Sequence, residues 1–455
     1  MLSITFWRSQ WASTALVVAI VPLSTTFAQS EVNRPQPAII LPDSASPPGY
    51  SLDALVTLGM ARNPRLAQAA FAIDMAQGRA LQAGLYPNPS MSFNFDELGD
   101  RTGPQGVNTL PLVSQEIVTF GKLRLSQAAA MKEVDQTTLM LTQQRYELLS
   151  RIRAAYFEVL VLQERIVILR QLVAVATASV EQGNKQMRGA EATRLDVIQF
   201  EVEKERLDTE LASAIKELPA AYRRLAATVG DPNLPLPTVS GSLELPLPVY
   251  ELEPLVRYVV ENHPERHAAV AGIAKAQLQL EREKVEPYPN VTVGAGYVRQ
   301  NQNRSNDWAV NFSVPLPVWN RNQGRIASAT AAVGSAQLEI ERVENELVER
   351  VSSAFREFAA ARQRAERYRT GILPRAKESY RIVEQGYKNG AFDYLKVLDA
   401  QRTLSQANLE QIRALGDAWK AASALSGLTL EDEWPRVVNP KVIDKPGGLV
   451  PPGNK

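Results

Sequence analysis

Cysteine is missing from all 455 residues. Its absence excludes disulfides, thiolate metal ligands, cysteine nucleophiles and a lipid carried on an N-terminal cysteine. Histidine is scarce, with 2 residues in the chain. Neither sign of charge is in excess: Lys and Arg number 50 against 49 for Asp and Glu, so no bulk field draws the chain to nucleic acid or to an anionic membrane surface. Nucleic acid is therefore not an expected partner. The motifs of common chemistry are also lacking. No phosphate-cradling glycine–lysine loop and no serine-hydrolase elbow occur, and the lone GAG at 294 to 296 reads as small residues in a strand. Neither an enzyme nor a bound cofactor is expected.

Long apolar runs are lacking beyond Ala28, where no window offers the ~18 consecutive apolar residues of a spanning helix. The residues up to Ala28 hold a single charge, Arg8, then the apolar run ALVVAIVPL and the small-residue pattern Thr26-Phe27-Ala28. That order predicts a secretory signal cut after Ala28. A transmembrane anchor is the competing reading, weakened by Pro22 inside a run too short to span the bilayer. If the rest of the chain enters a membrane, it must do so as strands.

What is present is a folding composition, 45% apolar and 22% charged, written twice. LDALVTLGMARNP at 52 to 64 returns as LEPLVRYVVENHP at 252 to 264, and LYPNP at 85 to 89 returns as PYPNV at 287 to 291. FGKLRLSQAAA from Phe120 is answered by NQGRIASATAA from Asn322, and EQGNKQMRGAEATRLDVI from Glu181 by EQGYKNGAFDYLKVL from Glu384. So long a period is duplication of an architectural unit. Each unit reads helix, β pair, very long helix, tight turn, long helix. Leu148, Ile152, Ala155, Val159, Leu162, Ile166, Leu169, Val173, Ala176 and Val180 form a seam with alternating steps of four and three, which specifies left-handed coiled packing. Val343, Leu347, Val351, Phe355 and Phe358 do the same in the second unit. Tyr156, Leu160 and Val167 lie off the seam, as a helix with neighbours on two sides requires. Turns are expected at Gly183 to Gly189 and at Gly386 to Gly390, and Pro374 predicts a kink.

The expected organisation is a signal over 1–28 and a proline-rich segment over 29–50. A first repeat over 51–230 follows, with strands at about 90–118 and a helical hairpin at about 122–229. After a proline-rich linker over 231–250 comes a second repeat over 251–428, with strands at about 290–318 and a hairpin at about 324–428, and then a proline-rich tail over 429–455. The proline-rich pieces suit girdling segments near the helix midpoints or loose tails.

The β passages alternate with period two. Val291, Val293, Ala295 and Tyr297 share one face against Thr292, Gly294 and Gly296; Trp308, Val310, Phe312 and Val314 oppose Ala309, Asn311 and Ser313; Met91, Phe93 and Phe95 oppose Ser92, Asn94 and Asp96. The strand within 107 to 118 is the least regular. An apolar face with Tyr and Trp near it, opposite a small and polar one, fits a lipid-facing barrel with a wet interior. Periodicity alone fits a half-buried soluble sheet equally well. Four strands cannot close a membrane barrel, which needs about eight at least, and open edges are intolerable in lipid. A membrane reading therefore requires several copies to share one barrel.

Taken together, the signal, the doubled unit, YPNP, FGK and VPLPVWNRNQG resemble the TolC-like outer membrane efflux family over nearly all of the chain beyond the signal. LPVWNRNQGRIASA resembles most its heavy-metal branch, that of CzcC and CusC. The resemblance implies a mainly α protein with membrane β-structure: a homotrimer in which four strands per protomer build a shared transmembrane β-barrel that continues into a long coiled α-helical barrel in the periplasm. It implies an outer membrane exit duct that passively conducts substrate, divalent heavy-metal cations in this branch, from an inner-membrane RND-type pump and a periplasmic adaptor protein. The absent cysteine departs from lipidated members such as CusC. A duct for drugs or type I protein secretion, and a structural coiled-coil envelope protein without a pore, are the other readings.

The resemblance also implies site residues. Asp196 and Asp399 match acidic positions at the periplasmic gate, and Tyr387 matches a tyrosine of the closing network. Where the family's best-known gate has arginine and a further aspartate, this chain has Phe392 and Lys396; Lys396 is a candidate partner for a neighbouring carboxylate. Met91, Phe93, Phe95, Val291, Val293, Tyr297, Trp308, Val310 and Phe312 are the expected contacts with outer membrane lipid. His263 and His267, spaced for a shared helix face, would suit a metal, but His263 precedes Pro264 as Asn63 precedes Pro64, which predicts a helix-start role. No metal site is expected.

Overall fold

The computed structural model describes residues 49–96, 107–189, 192–235, 238–300 and 304–435. The expected signal with its cut after Ala28, most of the first proline-rich segment, the RTGPQG loop and the tail beyond residue 435 lie outside them. In order, the elements are α1 (Leu52–Arg62), α2 (Pro64–Gly84), β1 (Ser90–Asp96), β2 (Val107–Ile117), α3 (Lys122–Arg188) and α4 (Arg194–Val229). They continue with α5 (Leu252–Asn262), α6 (Pro264–Val285), β3 (Val291–Gln300), β4 (Ser305–Ser313), α7 (Gln323–Arg367), a π-helical turn (Tyr368–Ile372), α8 (Leu373–Lys388) and α9 (Tyr394–Leu428).

Two helices, not the expected one, precede each β pair. The break falls at Asn63-Pro64 and again at His263-Pro264, because proline pushes the residue before it into extended backbone, with ψ 122° at Asn63 and 135° at His263. Each displaced residue then caps the helix that follows. Asn63 Oδ1 accepts from Arg65 N at 2.9 Å, and His263 Nδ1 accepts from Glu265 N at 3.3 Å.

The longest element, α3, runs 67 residues without a break, or ~100 Å at 1.5 Å per residue. Its seam residues Leu148, Ile152, Val159, Ile166, Leu169 and Ala176 are buried, and so are the off-seam Tyr156 and Leu160. Neighbours on two flanks explain this, α2 and α6 toward the sheet and α4 and α9 toward the turns; Val167, expected on a second flank as well, is 44% exposed instead. Midway along it the Phe157 ring stacks on Trp419 of α9 at 4.4 Å and meets Trp434 edge-on at 5.8 Å. Residues between α4 and α5 lie against this point. Tyr156 Oη donates to Ser240 O at 2.6 Å and Trp419 Nε1 to Leu243 O at 3.1 Å.

Neither expected turn begins where its first glycine stands. Gly183 lies inside α3, where a Cβ would come within 3.3 Å of the Phe200 ring on the returning α4, and Gly386 lies inside α8, where a Cβ would come within 2.3 Å of Phe392. Both glycines permit close approach of the returning chain, and the helices run on to Arg188 and Lys388. Gly390, with φ 75°, occupies the left-handed region that glycine adopts without strain. Pro374 follows the π-helical turn after one residue, Leu373; widening the turn accommodates a residue without an amide.

Near the sheet, the packed helices form an arc α2–α3–α6–α7; toward the turns the arc is α4–α3–α9, with α7 and α8 beyond. The sheet is antiparallel throughout in the order β1-β2-β3-β4, with the outer edges of β1 and β4 unpaired among the described residues.

Candidate functional site

Cross-strand pairing sorts the side chains onto two unlike faces. Met91 pairs with Val113, Val113 with Ala295 and Ala295 with Val310, so one apolar row crosses all four strands. Val293 with Phe312, Tyr297 with Trp308, and Val291 with Ile117 extend this face along the strands. Met91, Phe93, Phe95, Trp308, Val310 and Phe312 are all more than half exposed; Val291, Val293 and Tyr297 are half-buried. The Tyr297 and Trp308 rings meet edge-on at 6.1 Å. On the opposite face Ser90, Ser114, Gly294 and Asn311 form a row, and Thr292 pairs with Ser313. A Cβ on Gly294 would lie 2.0 Å from Asn311 Oδ1. The irregularity expected in β2 has a definite source: Pro111 offers no amide, and the pairing with both neighbours shifts beside it, between Thr109 and Leu112 on the β3 side and opposite Ser92 to Asn94 of β1.

The recurring Tyr-Pro-Asn and the Phe-Gly-Lys prove to be one fastening. Phe120 stacks on Tyr288 at 4.4 Å, Thr119 Oγ1 donates to Pro289 O at 2.7 Å, and Lys122 Nζ donates to Tyr288 O at 2.6 Å and Asn290 Oδ1 at 2.9 Å. Asn290 Nδ2 in turn donates to Glu116 Oε1 at 2.6 Å. Phe120 and Gly121 both have positive φ, 55° and 70°, which turns β2 sharply into α3. The sheet is thus pinned to the longest helix where the two halves of the chain meet. The earlier copy, Tyr86-Pro87-Asn88, stands just ahead of β1, the edge strand paired with β2, and Tyr86 is exposed.

At the far ends of the helices, the predicted gate residues divide. Asp196 is buried in a capping box: its carboxylate accepts from Thr193 N at 2.7 Å while Thr193 Oγ1 accepts from Asp196 N at 3.3 Å. Burial and the nearby Asp196 carboxylate push the Tyr394 phenol above its ordinary range. Tyr387 Oη donates to Gln186 Oε1, which ties α8 to α3. Asp399 is exposed on α9, with no ion-pair partner among the described residues. Lys396 Nζ sits 4.8 Å from the centre of the Phe392 ring, a cation–π contact inside its own turn. The residues are therefore gathered at one end, but Tyr387 and Asp196 use different partners.

Sequence reading missed Glu203 and Tyr394. Glu203 is 1% exposed on α4 and accepts from Arg206 Nη2 at 2.7 Å and from Arg402 Nε of α9 at 2.9 Å. Burial works against its charge, yet the two guanidinium groups outweigh burial and hold the carboxyl below its ordinary range. The signal was legible: Glu203 interrupts the apolar spacing Val197, Phe200, Leu207.

His263 is buried as a cap and His267 is exposed. Burial pushes the His263 imidazole down to about 4. Its neighbour Glu265 accepts from Arg350 and from Gln143. Among the described residues no group of three or more histidine and acidic side chains is arranged to hold a metal ion, and no helix is long and apolar enough to cross a membrane.

Comparison with known proteins gives the same architecture. The family described as "Outer membrane efflux protein" matches the chain twice, over residues 55–231 and 255–429. The cobalt-zinc-cadmium resistance protein CzcC of Cupriavidus metallidurans is 27% identical over 412 residues, covering 90% of this chain and 96% of CzcC. The pyoverdine export outer membrane protein OpmQ of Pseudomonas putida is 23% identical, covering 82% of this chain and 87% of OpmQ. Among solved structures, VceC of Vibrio cholerae superposes with a TM-score of 0.70 at 20% identity, covering 83% of this chain and 95% of VceC. CusC superposes with a TM-score of 0.65 at 17% identity, covering 83% of this chain and 91% of CusC.

Proposed function

This chain belongs to the outer membrane efflux protein family, as an efflux channel of the outer membrane and not an enzyme, and from that premise we propose that it is the exit duct of a tripartite pump for divalent heavy-metal cations. The observation that carries this reading is the sheet: one face exposed and apolar, the other mostly small and polar, with both outer edges free among the described residues. In lipid such edges must be paired. Three copies joined edge to edge close one barrel around the polar face, and the helical arcs continue it as a periplasmic tunnel. The family signature matching two stretches of the chain supports two repeats per protomer. An inner-membrane RND-type pump and a periplasmic adaptor drive cargo into the tunnel; the duct supplies a path and no chemistry.

Metal cargo is supported by the likeness to CzcC. The gate is proposed at the turns. Asp399, exposed and unpaired, becomes a ring of three carboxylates in the trimer and attracts cations between low-dielectric walls; Asp196, Tyr387 and Lys396 hold the turns that present it. The purified trimer in a planar bilayer is expected to conduct cations in preference to anions, and Asp399→Asn with Asp196→Asn to lose that preference. Unchanged selectivity would remove these residues from the gate. In cells, deletion of the gene is expected to sensitise to cobalt, zinc or cadmium, and sensitivity to drugs alone would replace the cargo.

A further inference from the structure

Helices α4 and α9 end in the same way with different residues. Asp231 N donates to Ala226 O at 3.1 Å and Glu431 N to Ser426 O at 3.0 Å, the closing bond of a helix end whose preceding residue is left-handed. In α4 that residue is Gly230, with φ 102°; at the matching place in α9 it is Leu430, with φ 60°. A leucine in this region sets its Cβ against the backbone, a strain that glycine does not carry. Contacts beyond Leu430 must hold it there.

Those contacts fall on the middle of α3. Arg153 is 2% exposed and donates through Nη1 to Ser426 Oγ at 2.9 Å, and through Nη2 to Glu431 O at 2.8 Å and Asp432 O at 2.9 Å. Trp434 lies edge-on to the Phe157 and Trp419 rings at 5.8 and 5.5 Å, with its own ring centre 5.1 Å from the guanidinium. Arg145 Nη2 donates to Asp432 Oδ1 at 2.9 Å. Two terms oppose this closure. The Arg153 guanidinium has exchanged water for a hydroxyl and two carbonyls, none of them charged, and its Nε has no acceptor among the described residues. Leu430 adds its strain. At the end of α4 neither term is present: glycine takes the bend, and Asp231 meets the exposed Arg62 at 3.6 Å.

We propose that residues 429–435 are a releasable clasp, hinged at Leu430, over a peptide-docking cradle made by Arg153, Phe157 and Trp419. Lifting the clasp relaxes the leucine, rehydrates the guanidinium and uncovers the two stacked rings. The cradle then takes a segment of the same chemistry from a partner: successive backbone carbonyls for Arg153, a tryptophan for the rings, and an acidic residue two positions before that tryptophan for Arg145. The chain's own segment is thus an autoinhibitory occupant. Clasp and cradle belong to one protomer and work without the trimer or the gate.

Two amides in the full-length chain in detergent test the hinge. The Glu431 amide is expected to exchange hydrogen about tenfold faster than its counterpart at Asp231, and Leu430→Gly to slow it about fivefold, read by mass spectrometry at single-amide resolution. The fluorescently labelled peptide LTLEDEWP, residues 428 to 435, tests the cradle. By anisotropy it is expected to bind the Trp434→Ala chain about tenfold more tightly than the wild type, whose own indole is in place, and adding Arg153→Leu is expected to cancel that gain. The same peptide with alanine for tryptophan is expected not to bind. A Glu431 amide as slow as that of Asp231 and unchanged by Leu430→Gly overturns the releasable clasp. Peptide binding that Trp434→Ala does not raise, or that survives Arg153→Leu, overturns the cradle.

Discussion

The first long helix and its counterpart in the second half have nearly the same length and unlike lives. In the first half α3 runs 67 residues as one uninterrupted helix, with helices packed around it and buried side chains from Lys122 to Gly183. In the second half the same path is made of 45 residues of α7, a π-helical turn of 5 and 16 of α8, and few of these side chains are buried. A helix inside an arc has a packed neighbour on each flank, so a defect there disturbs two seams at once. One at the end of an arc, with a free flank, accommodates a proline and a widened turn. The more deeply buried and unbroken of the two paths is therefore α3, and the path that carries a defect is α7–α8.

The sharpest way to break this contrast is to remove one buried ring from each half. Phe157 and Phe358 are both 1% exposed, but Phe157 touches the rings of Tyr156, Trp419 and Trp434, whereas Phe358 meets that of Tyr250. Phe157→Ala is expected to cost about 4–5 kcal/mol and Phe358→Ala about 3 kcal/mol, read by denaturant unfolding. Equal losses would mean that α3 has no special place.

A smaller effect separates the two caps, since Asn63 does not titrate and His263 does. The buried imidazole has its pKa lowered from 6.5 to about 4, so below 6.5 the unfolded chain binds the proton first. Stability from this residue is complete above that pH and falls as pH drops from 6.5 to 4, by up to about 3 kcal/mol. His263→Asn copies the first-half cap and is expected to flatten the thermal stability profile over that range; an unchanged slope would assign it to other groups.

The smallest expected change comes from Pro374→Ala, which supplies the missing amide. Overall stability should shift by about 1 kcal/mol or less, while amide exchange over Tyr368–Ile372 slows. Exchange as slow in the wild type as in α3 would mean that the widened turn is no defect.

The seam of α3 and the two faces of the sheet were legible because each depends on a period that one stretch of chain carries by itself. The junction was half legible. Tyr-Pro-Asn and Phe-Gly-Lys stand out as words, but that Lys122 reaches Asn290 is a long-range fact no local period encodes. Asp196 stood out only as an acidic position matched to the gate, yet Thr193 three residues earlier spells a capping box that local chemistry alone could have read. The glycines misled for a related reason: a glycine that ends a helix and one that admits a phenylalanine look the same until the returning strand of the hairpin is in place.

One consequence of the face that carries Ser114, Gly294 and Asn311 remains. Cross-strand pairing sets Glu116 beside Thr292 and Asp307 beside Val298 on that same side. In the proposed barrel a passing cation would therefore meet carboxylates among the hydroxyls and carboxamides, and an anion would meet repulsion.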